Sequence, residues 1–249
     1  MSVSRGALVV AALGALLGLS RANEPVLQDP LDRSAGLIGL LPLPEVFGES
    51  VCVPFEAKPI DLFAGAGSAA PSGEIRVTKP WRFPPEGGCE GLEVRVFRGS
   101  GAPEVLPTLE YSYEESAAIV LERVAGRARI ALTTGDAWIA LPDSSRFLPA
   151  ERLLAEGRLT YLREGAAAQL RRTPALDAPR LTITLGEDKE PLVEVLESRT
   201  IGGALWVRVT LLEENVCDGE PTGLKPDTAW VPFHGVDRRP TVWYYSRGY

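Results

Sequence analysis

One histidine and three cysteines are the side chains best suited to nucleophilic or acid–base chemistry in this chain of 249 residues. A thiolate at Cys217 with His234 as its base, or a serine in place of the thiol, would give a small hydrolase. The other interpretation is a histidine that bonds to the turn after its strand, or that faces a ligand. We expect no enzyme, and the hydrolase is the alternative that the sequence leaves open.

The remaining motifs do not indicate a metal or a nucleotide. A single histidine excludes most zinc hydrolases, which draw two or more ligands from imidazole. Residues 65–70 have the Gly-x-Gly-x-x-Ala spacing of a dinucleotide-binding turn, but Pro71 and Gly73 follow where the helix would have to begin. The acidic residues between 213 and 220 lack the spacing of a calcium loop. We therefore expect no metal and no cofactor.

The charge balance bears on possible partners. The chain has 33 acidic and 26 basic side chains, for a formal net charge of −7. Such a chain has no broad basic surface, which is the feature that attracts phosphate backbones. We expect no nucleic-acid partner.

The first 22 residues have the pattern of a secretory signal peptide. Arg5 is followed by an apolar run over residues 6–19, which is too short to span a bilayer. Small side chains at Ser20 and Ala22 suit cleavage before Asn23. We expect a periplasmic or extracellular protein, with no membrane insertion after cleavage.

Export changes what the cysteines can do, because these compartments oxidise thiols. Cys52 and Cys89 fall within one predicted domain and are the candidate disulfide, which would leave Cys217 over. Three buried or free thiols are the alternative.

The elements that position these residues are mostly β-strands, because short runs of alternating apolar residues are bounded by Gly, Pro, Asp or Ser. One helix is predicted over 149–156, with a proline in its first turn and Gly157 as its stop. The segment 159–162 would close the first series of strands or begin the second. The first series is 60–63, 75–78, 92–97, 109–113, 119–124, 129–133 and 137–141, and the second is 169–171, 181–185, 192–197, 205–211, 229–233 and 242–245.

The two series resemble a diverged internal repeat. In each, three strands form a meander, and the third carries Ala-Trp-Ile at 137–139 or Ala-Trp-Val at 229–231. The second copy has a polar insertion from about 212 to 227, a length that a hairpin tip tolerates. Repeated short units with tight hairpins are typical of small barrels, whose closure removes exposed edges.

The residues 135–139 (Gly-Asp-Ala-Trp-Ile), 227–231 (Asp-Thr-Ala-Trp-Val) and 242–245 (Val-Trp-Tyr-Tyr) resemble the bacterial SH3-like (SH3b) domain. The resemblance implies two tandem SH3-like small β-barrels with a short connecting helix. The expected divisions are an N-terminal arm lying on the first domain at 23–56, a first barrel at 57–148, a connecting segment at 149–166 and a second barrel at 167–249.

The resemblance also implies a non-enzymatic binding or scaffold role in a bacterial cell envelope. The partner would be a cell-wall peptide or glycan, or an envelope protein held through Trp243 and Tyr244. Aromatic grooves of small barrels bind such ligands, although most of these rings could instead fill the cores. We expect Trp230, Tyr244 and Tyr245 to be the most exposed of them. The groove candidates are Tyr111, Tyr113, Trp138, Trp206, Trp230, His234, Trp243, Tyr244 and Tyr245.

Overall fold

A computed structural model describes residues 30–42, 58–79, 93–112, 115–124, 126–141, 147–181, 191–212 and 228–246. The predicted signal peptide, the three cysteines and Tyr113 lie outside the described residues, as does most of the insertion at 212–227. Within the described ranges, no helix is long and apolar enough to cross a membrane.

The chain is mostly β, as predicted, and includes a curled half-barrel sheet. The helix α1 (Ala150–Ala155) forms where it was expected, and 3₁₀ turns form at Pro30–Arg33 and Ala166–Gln169. The strands of the first sheet are β1 (Gly39–Pro42), β2 (Ile60–Phe63), β3 (Gly73–Lys79), β4 (Glu93–Arg98), β5 (Glu104–Val105), β6 (Thr108–Ser112), β7 (Glu115–Val124), β8 (Arg127–Ala131), β9 (Asp136–Ala140) and β10 (Leu148–Pro149). Those of the second are β11 (Thr160–Leu162), β12 (Leu192–Ile201), β13 (Ala204–Leu211), β14 (Thr228–Pro232) and β15 (Val242–Tyr244).

The two sheets are antiparallel and differ in size. The first has ten strands in the order β10-β1-β7-β8-β9-β2-β3-β4-β5, and β6 pairs with the first half of β7. The second has five strands in the order β15-β11-β12-β13-β14. Both predicted meanders are present, as β7-β8-β9 and β12-β13-β14.

A five-strand array of the same order occurs in both sheets. In the first sheet it is β10-β1-β7-β8-β9, and in the second it is β15-β11-β12-β13-β14. In each array the first strand in sequence, β1 or β11, lies in the sheet between the last strand in sequence, β10 or β15, and the first strand of the meander, β7 or β12. We call these the first array and the second array.

The side-chain register of the meanders is also the same. The first strand of each meander has a β-bulge, between Val120 and Glu122 or between Val195 and Glu197. A glutamate directly after the bulge lies opposite an arginine, which in turn lies opposite the tryptophan of the third strand. The two rows are Glu122–Arg129–Trp138 and Glu197–Arg208–Trp230.

The structure places the first strand of each array elsewhere than the predicted divisions did. The first array begins with β1, inside the expected arm, and β2–β6 are inserted between β1 and β7. Every residue of Gly39–Pro42 is buried, so this segment is an internal strand and not a cover on the first domain. The second array begins with β11, inside the expected connecting segment. The strand expected at 169–171 is instead a 3₁₀ turn followed by isolated bridges at Arg171.

One hydrophobic core joins the two arrays. Leu40 and Ile119 of the first array belong to the same buried cluster as Val207 and Val231 of the second, and Leu153 of α1 belongs to it too. A separate cluster lies under β2, β3, β4, β8 and β9. The arrays are therefore packed against each other through α1.

A second connection runs through the N-terminal segment 30–38. The backbone N–H of Gly36 donates to the carbonyl of Arg238 at 2.7 Å, and the Asp32 carboxylate pairs with the Arg239 guanidinium at 2.5 Å. The segment thus connects the first array to the turn between β14 and β15.

Candidate functional site

Most of the predicted groove aromatics are buried. Tyr244 is 2% exposed and Trp230 is 9% exposed, so the expectation that these two rings face solvent is wrong. Trp138, Trp206 and Trp243 are buried as well, and Tyr111 is half-buried. Trp243 and Tyr244, expected to hold an envelope protein, are therefore part of the core.

Tyr244 is buried because it lies where the second sheet meets β6 of the first sheet. Its hydroxyl lies 3.5 Å from the carbonyl oxygen of Tyr111, which also accepts a hydrogen bond from Arg158. The Arg158 guanidinium lies 4.6 Å from the centre of the Tyr244 ring. Burial raises the pKa of the Tyr244 hydroxyl well above its ordinary value, so the phenol stays neutral.

Tyr245 is exposed, as predicted. Its ring is 41% exposed and packs on Tyr161 of β11, with 4.6 Å between the ring centres. Thr160 and Leu162 are buried, whereas Tyr161 and Arg163 are half-buried, as the alternation of a strand requires. Tyr161 and Arg163 therefore share one face of β11, on which the Tyr161 ring contacts Tyr245.

A small cleft lies beside Arg163, between the loop after β11 and the turn before β15. Its volume is about 200 Å³, and Gln169, Asp237 and Thr241 contribute to its lining. Arg163 donates from Nη1 to the carbonyl of Pro240 at 3.2 Å and lies 3.9 Å from an Asp237 oxygen. The cleft presents the Arg163 cation and two carboxylates, those of Glu164 and Asp237, and Asp237 also pairs with Arg239 at 3.6 Å. Such a lining suits a ligand with polar groups of both signs.

His234 makes a contact with the segment that leads into β1. Its Nε2 lies 2.7 Å from the carbonyl oxygen of Leu37, so this nitrogen carries the proton and donates it. Burial is the main reason that the pKa of the ring lies below its usual range, and the nearby Arg238 cation acts in the same direction. In the part of the chain that the structure describes, no nucleophile bonds to this ring and no group of side chains could hold a metal ion. Cys217, its proposed partner, lies outside that part.

The sequence predicted one member of this surface and missed the rest. Tyr245 was one of the three aromatic residues expected to be exposed. Arg163, Gln169 and Asp237 carry no motif, and they meet only because β11 and β15 are neighbours in the sheet. The tyrosine in the predicted strand 159–162 was the sequence feature that could have indicated the stacked pair.

Comparisons with known proteins give no relative. No family model matches the chain, and no curated protein or solved structure matches it either.

Proposed function

We propose that this chain is an exported, non-enzymatic binding or scaffold module of a bacterial cell envelope. Its two arrays would be tandem SH3-like units, the first containing β1, β7, β8, β9 and β10 and the second containing β11–β15. The same strand order in both arrays, with the same Glu–Arg–Trp row, supports a tandem arrangement. The residues resembling the bacterial SH3-like domain lie in the third strand of each meander, β9 or β14, and in β15.

The binding surface that we propose is the Tyr161–Tyr245 pair together with the cleft beside Arg163. The exposed ring of Tyr245 is the observation that carries this assignment, since among the groove aromatics that the structure describes it is the one classed as exposed. Tyrosine combines an apolar ring face with a polar hydroxyl, which is why it is common in binding surfaces.

The ligand would be a cell-wall peptide or glycan. A sugar ring or an extended peptide can lie against the stacked tyrosines, while Arg163 and Asp237 bind its charged or hydroxyl groups. Several contacts along an open face suit an extended chain better than a compact small molecule.

Co-sedimentation with purified peptidoglycan sacculi tests this function. The exported form of the chain should pellet at low and at moderate salt, because stacking is not screened by ions. Tyr245→Ala should weaken pelleting about fivefold, since an aromatic contact contributes about 1 kcal/mol. Arg163→Gln should weaken pelleting as well. Its effect should be larger at low salt than at moderate salt, because salt screens the charge that the substitution removes.

Val124→Ala is the matched control, because Val124 is 44% exposed on β7, away from this surface. It should pellet like the wild-type chain, and circular dichroism should show all three variants folded. Equal pelleting of Tyr245→Ala and Val124→Ala would place the ligand elsewhere. An absence of pelleting at both salt concentrations would direct the search to an envelope protein, with the same variants used in pull-downs.

A further inference from the structure

Arg171 is a buried cation beside the second array. The residue is 8% exposed, and its backbone N–H and C=O both bond to Trp230, at 2.7 and 2.8 Å. This pairing puts the two side chains on the same side of β14. Arg171 therefore extends the row Glu197–Arg208–Trp230 by one position, beyond the edge of the sheet.

The Arg171 guanidinium has little to neutralise it. Nη1 donates to the carbonyl of Leu170 at 3.3 Å, and Nε is buried with no hydrogen-bond partner. Among the described residues, no carboxylate forms an ion pair with it. A buried charge without a partner is strongly unfavourable, so its presence in the folded chain needs an explanation.

The surrounding side chains add positive charge rather than removing it. The Arg199 guanidinium lies 5.6 Å from the centre of the Trp230 ring, and Arg208 lies opposite Trp230 on β13. Glu197 is the nearby carboxylate, and it lies 2.6 Å from Arg199 and 2.8 Å from Arg208. The Arg208 Nε is nevertheless without a well-directed hydrogen bond. Glu197 therefore already pairs with two arginines and does not neutralise the charge of Arg171.

The first array shows that the fold does not need a charge at this position. There, Phe63 of β2 lies opposite Trp138, as Arg171 lies opposite Trp230. Phe63 is equally buried, and the Arg127 guanidinium lies 4.0 Å from the centre of its ring. A neutral aromatic side chain therefore fills the equivalent place in the same register.

We propose that Arg171, beside Trp230, binds an oxyanion of a ligand, either a carboxylate or a phosphate. Arginine binds both groups through paired N–H donors. The bound charge would also offset the excess of positive charge around Trp230, where Arg171, Arg199 and Arg208 have Glu197 as their carboxylate. This site lies at the β14 edge of the second sheet, whereas the Tyr161–Tyr245 surface lies at β11 and β15. It therefore goes beyond the proposed function and does not depend on it.

Thermal unfolding in different anions tests the site. Inorganic phosphate and acetate are compared with chloride at equal ionic strength and pH, since a ligand that binds the folded state raises its melting temperature. The wild-type melting temperature should rise with the concentration of phosphate, of acetate or of both. The anion that raises it identifies the ligand group as a phosphate or a carboxylate. Arg171→Met should lose this specific rise. Phosphate also stabilises proteins generally, so the measured quantity is the difference between the variants.

Arg172→Met is the matched control, because Arg172 is the next residue and is exposed. It should keep the wild-type response. Without oxyanions, Arg171→Met should be at least as stable as the wild-type chain, because it removes an unpaired charge and keeps an unbranched side chain. Equal responses of the wild-type chain and Arg171→Met would overturn the proposal.

A second measurement uses only the wild-type chain and covers the case in which Arg171→Met does not fold. In a titration with phosphate or acetate followed by NMR, the indole N–H signal of Trp230 should shift, while that of Trp138 should stay in place. Trp138 is an internal control because it has the same register but lies opposite Phe63. Signals of both indoles that stay in place, or that move together, would overturn the proposal.

Discussion

At the scale of single residues, His234 connects two parts of the chain that are far apart in sequence. Its bond to the Leu37 carbonyl joins the turn after β14 to the segment that leads into β1. Phe233 packs edge-on against the imidazole, with 4.9 Å between the ring centres. The ring is therefore held by packing and by one acceptor, which is why its environment disfavours the charged form.

The stability of the chain should depend on pH through His234. Because burial lowers the pKa of the ring in the folded state, the unfolded chain binds the proton more readily. The resulting contribution to the free energy of unfolding is fully present above the ordinary histidine pKa of about 6.5 and is lost as the pH falls through the lowered folded value. Urea denaturation between about pH 7.5 and 5.5 measures this loss, since this is the usual range of histidine titration.

His234→Gln is the control for this prediction, because glutamine keeps an N–H donor and does not titrate. Its stability should vary less over the same range, which is informative because the chain has one histidine. A pH profile identical to that of the wild-type chain would show that His234 is not the titrating group.

The burial of a single side chain was predictable only where it depends on the residue's position within its own strand. Tyr245 follows the last residue of β15, so its side chain escapes the packing of that strand. Trp230 and Tyr244 were expected to be exposed, but neighbours from distant segments cover them, namely Arg171 and Arg199 in one case and Arg158 in the other. No pattern along the chain reports such contacts, because they depend on which strands become neighbours.

At the scale of elements, a two-residue turn sets the register of the longest hairpin. Ile201 of β12 lies opposite Ala204 of β13, which leaves Gly202 and Gly203 as the whole connection. Their φ angles are +59° and +80°, as a type I′ turn requires at both central positions. Positive φ at two successive residues is unfavourable for most residues, and glycine adopts it without a steric penalty.

Replacing Gly203 by alanine should lower the free energy of unfolding by about 1 to 2 kcal/mol, which is the usual penalty for the left-handed region. A Cβ atom at this position would meet no other atom within 4 Å, so the cost would come from the backbone alone. Gly67→Ala is the control, since its Cβ atom would also meet nothing and its φ is not positive. Chemical denaturation of both variants should show a loss only for Gly203→Ala, and equal losses would contradict the turn assignment.

The strands were predictable where turn residues frame them. Pro59 and Gly65 enclose β2, and its predicted bounds are those observed. In contrast, β1 was missed because Gly39 and Pro42 are weak strand formers and because both faces of the segment are buried, which removes the alternation. The order of the strands in the sheets was not predictable, because the local pattern does not show which strands pair. In the first sheet, for example, β2–β6 are inserted in the chain between β1 and β7, which are neighbours in the sheet.

At the scale of the whole molecule, the shared core should make the two arrays unfold together. Leu153 of α1 is fully buried in the cluster that contains side chains of both arrays. Leu153→Ala should therefore lower the free energy of unfolding by about 2 to 5 kcal/mol, which is the usual cost of truncating a buried leucine. Because the cavity would lie between the arrays, the loss should weaken both and not only one of them.

Hydrogen exchange measured on the two meanders decides this point. In Leu153→Ala, protection should fall by the same free energy in β7–β9 and in β12–β14, since both would open in one cooperative step. Arg152→Ala is the control on the same helix, because that side chain is 64% exposed and should leave both meanders unchanged. Loss of protection in one meander alone would mean that each array has a core sufficient for its own stability. The arrays would then be independent units joined by α1, and the segment 30–38 would be the remaining connection that fixes their orientation.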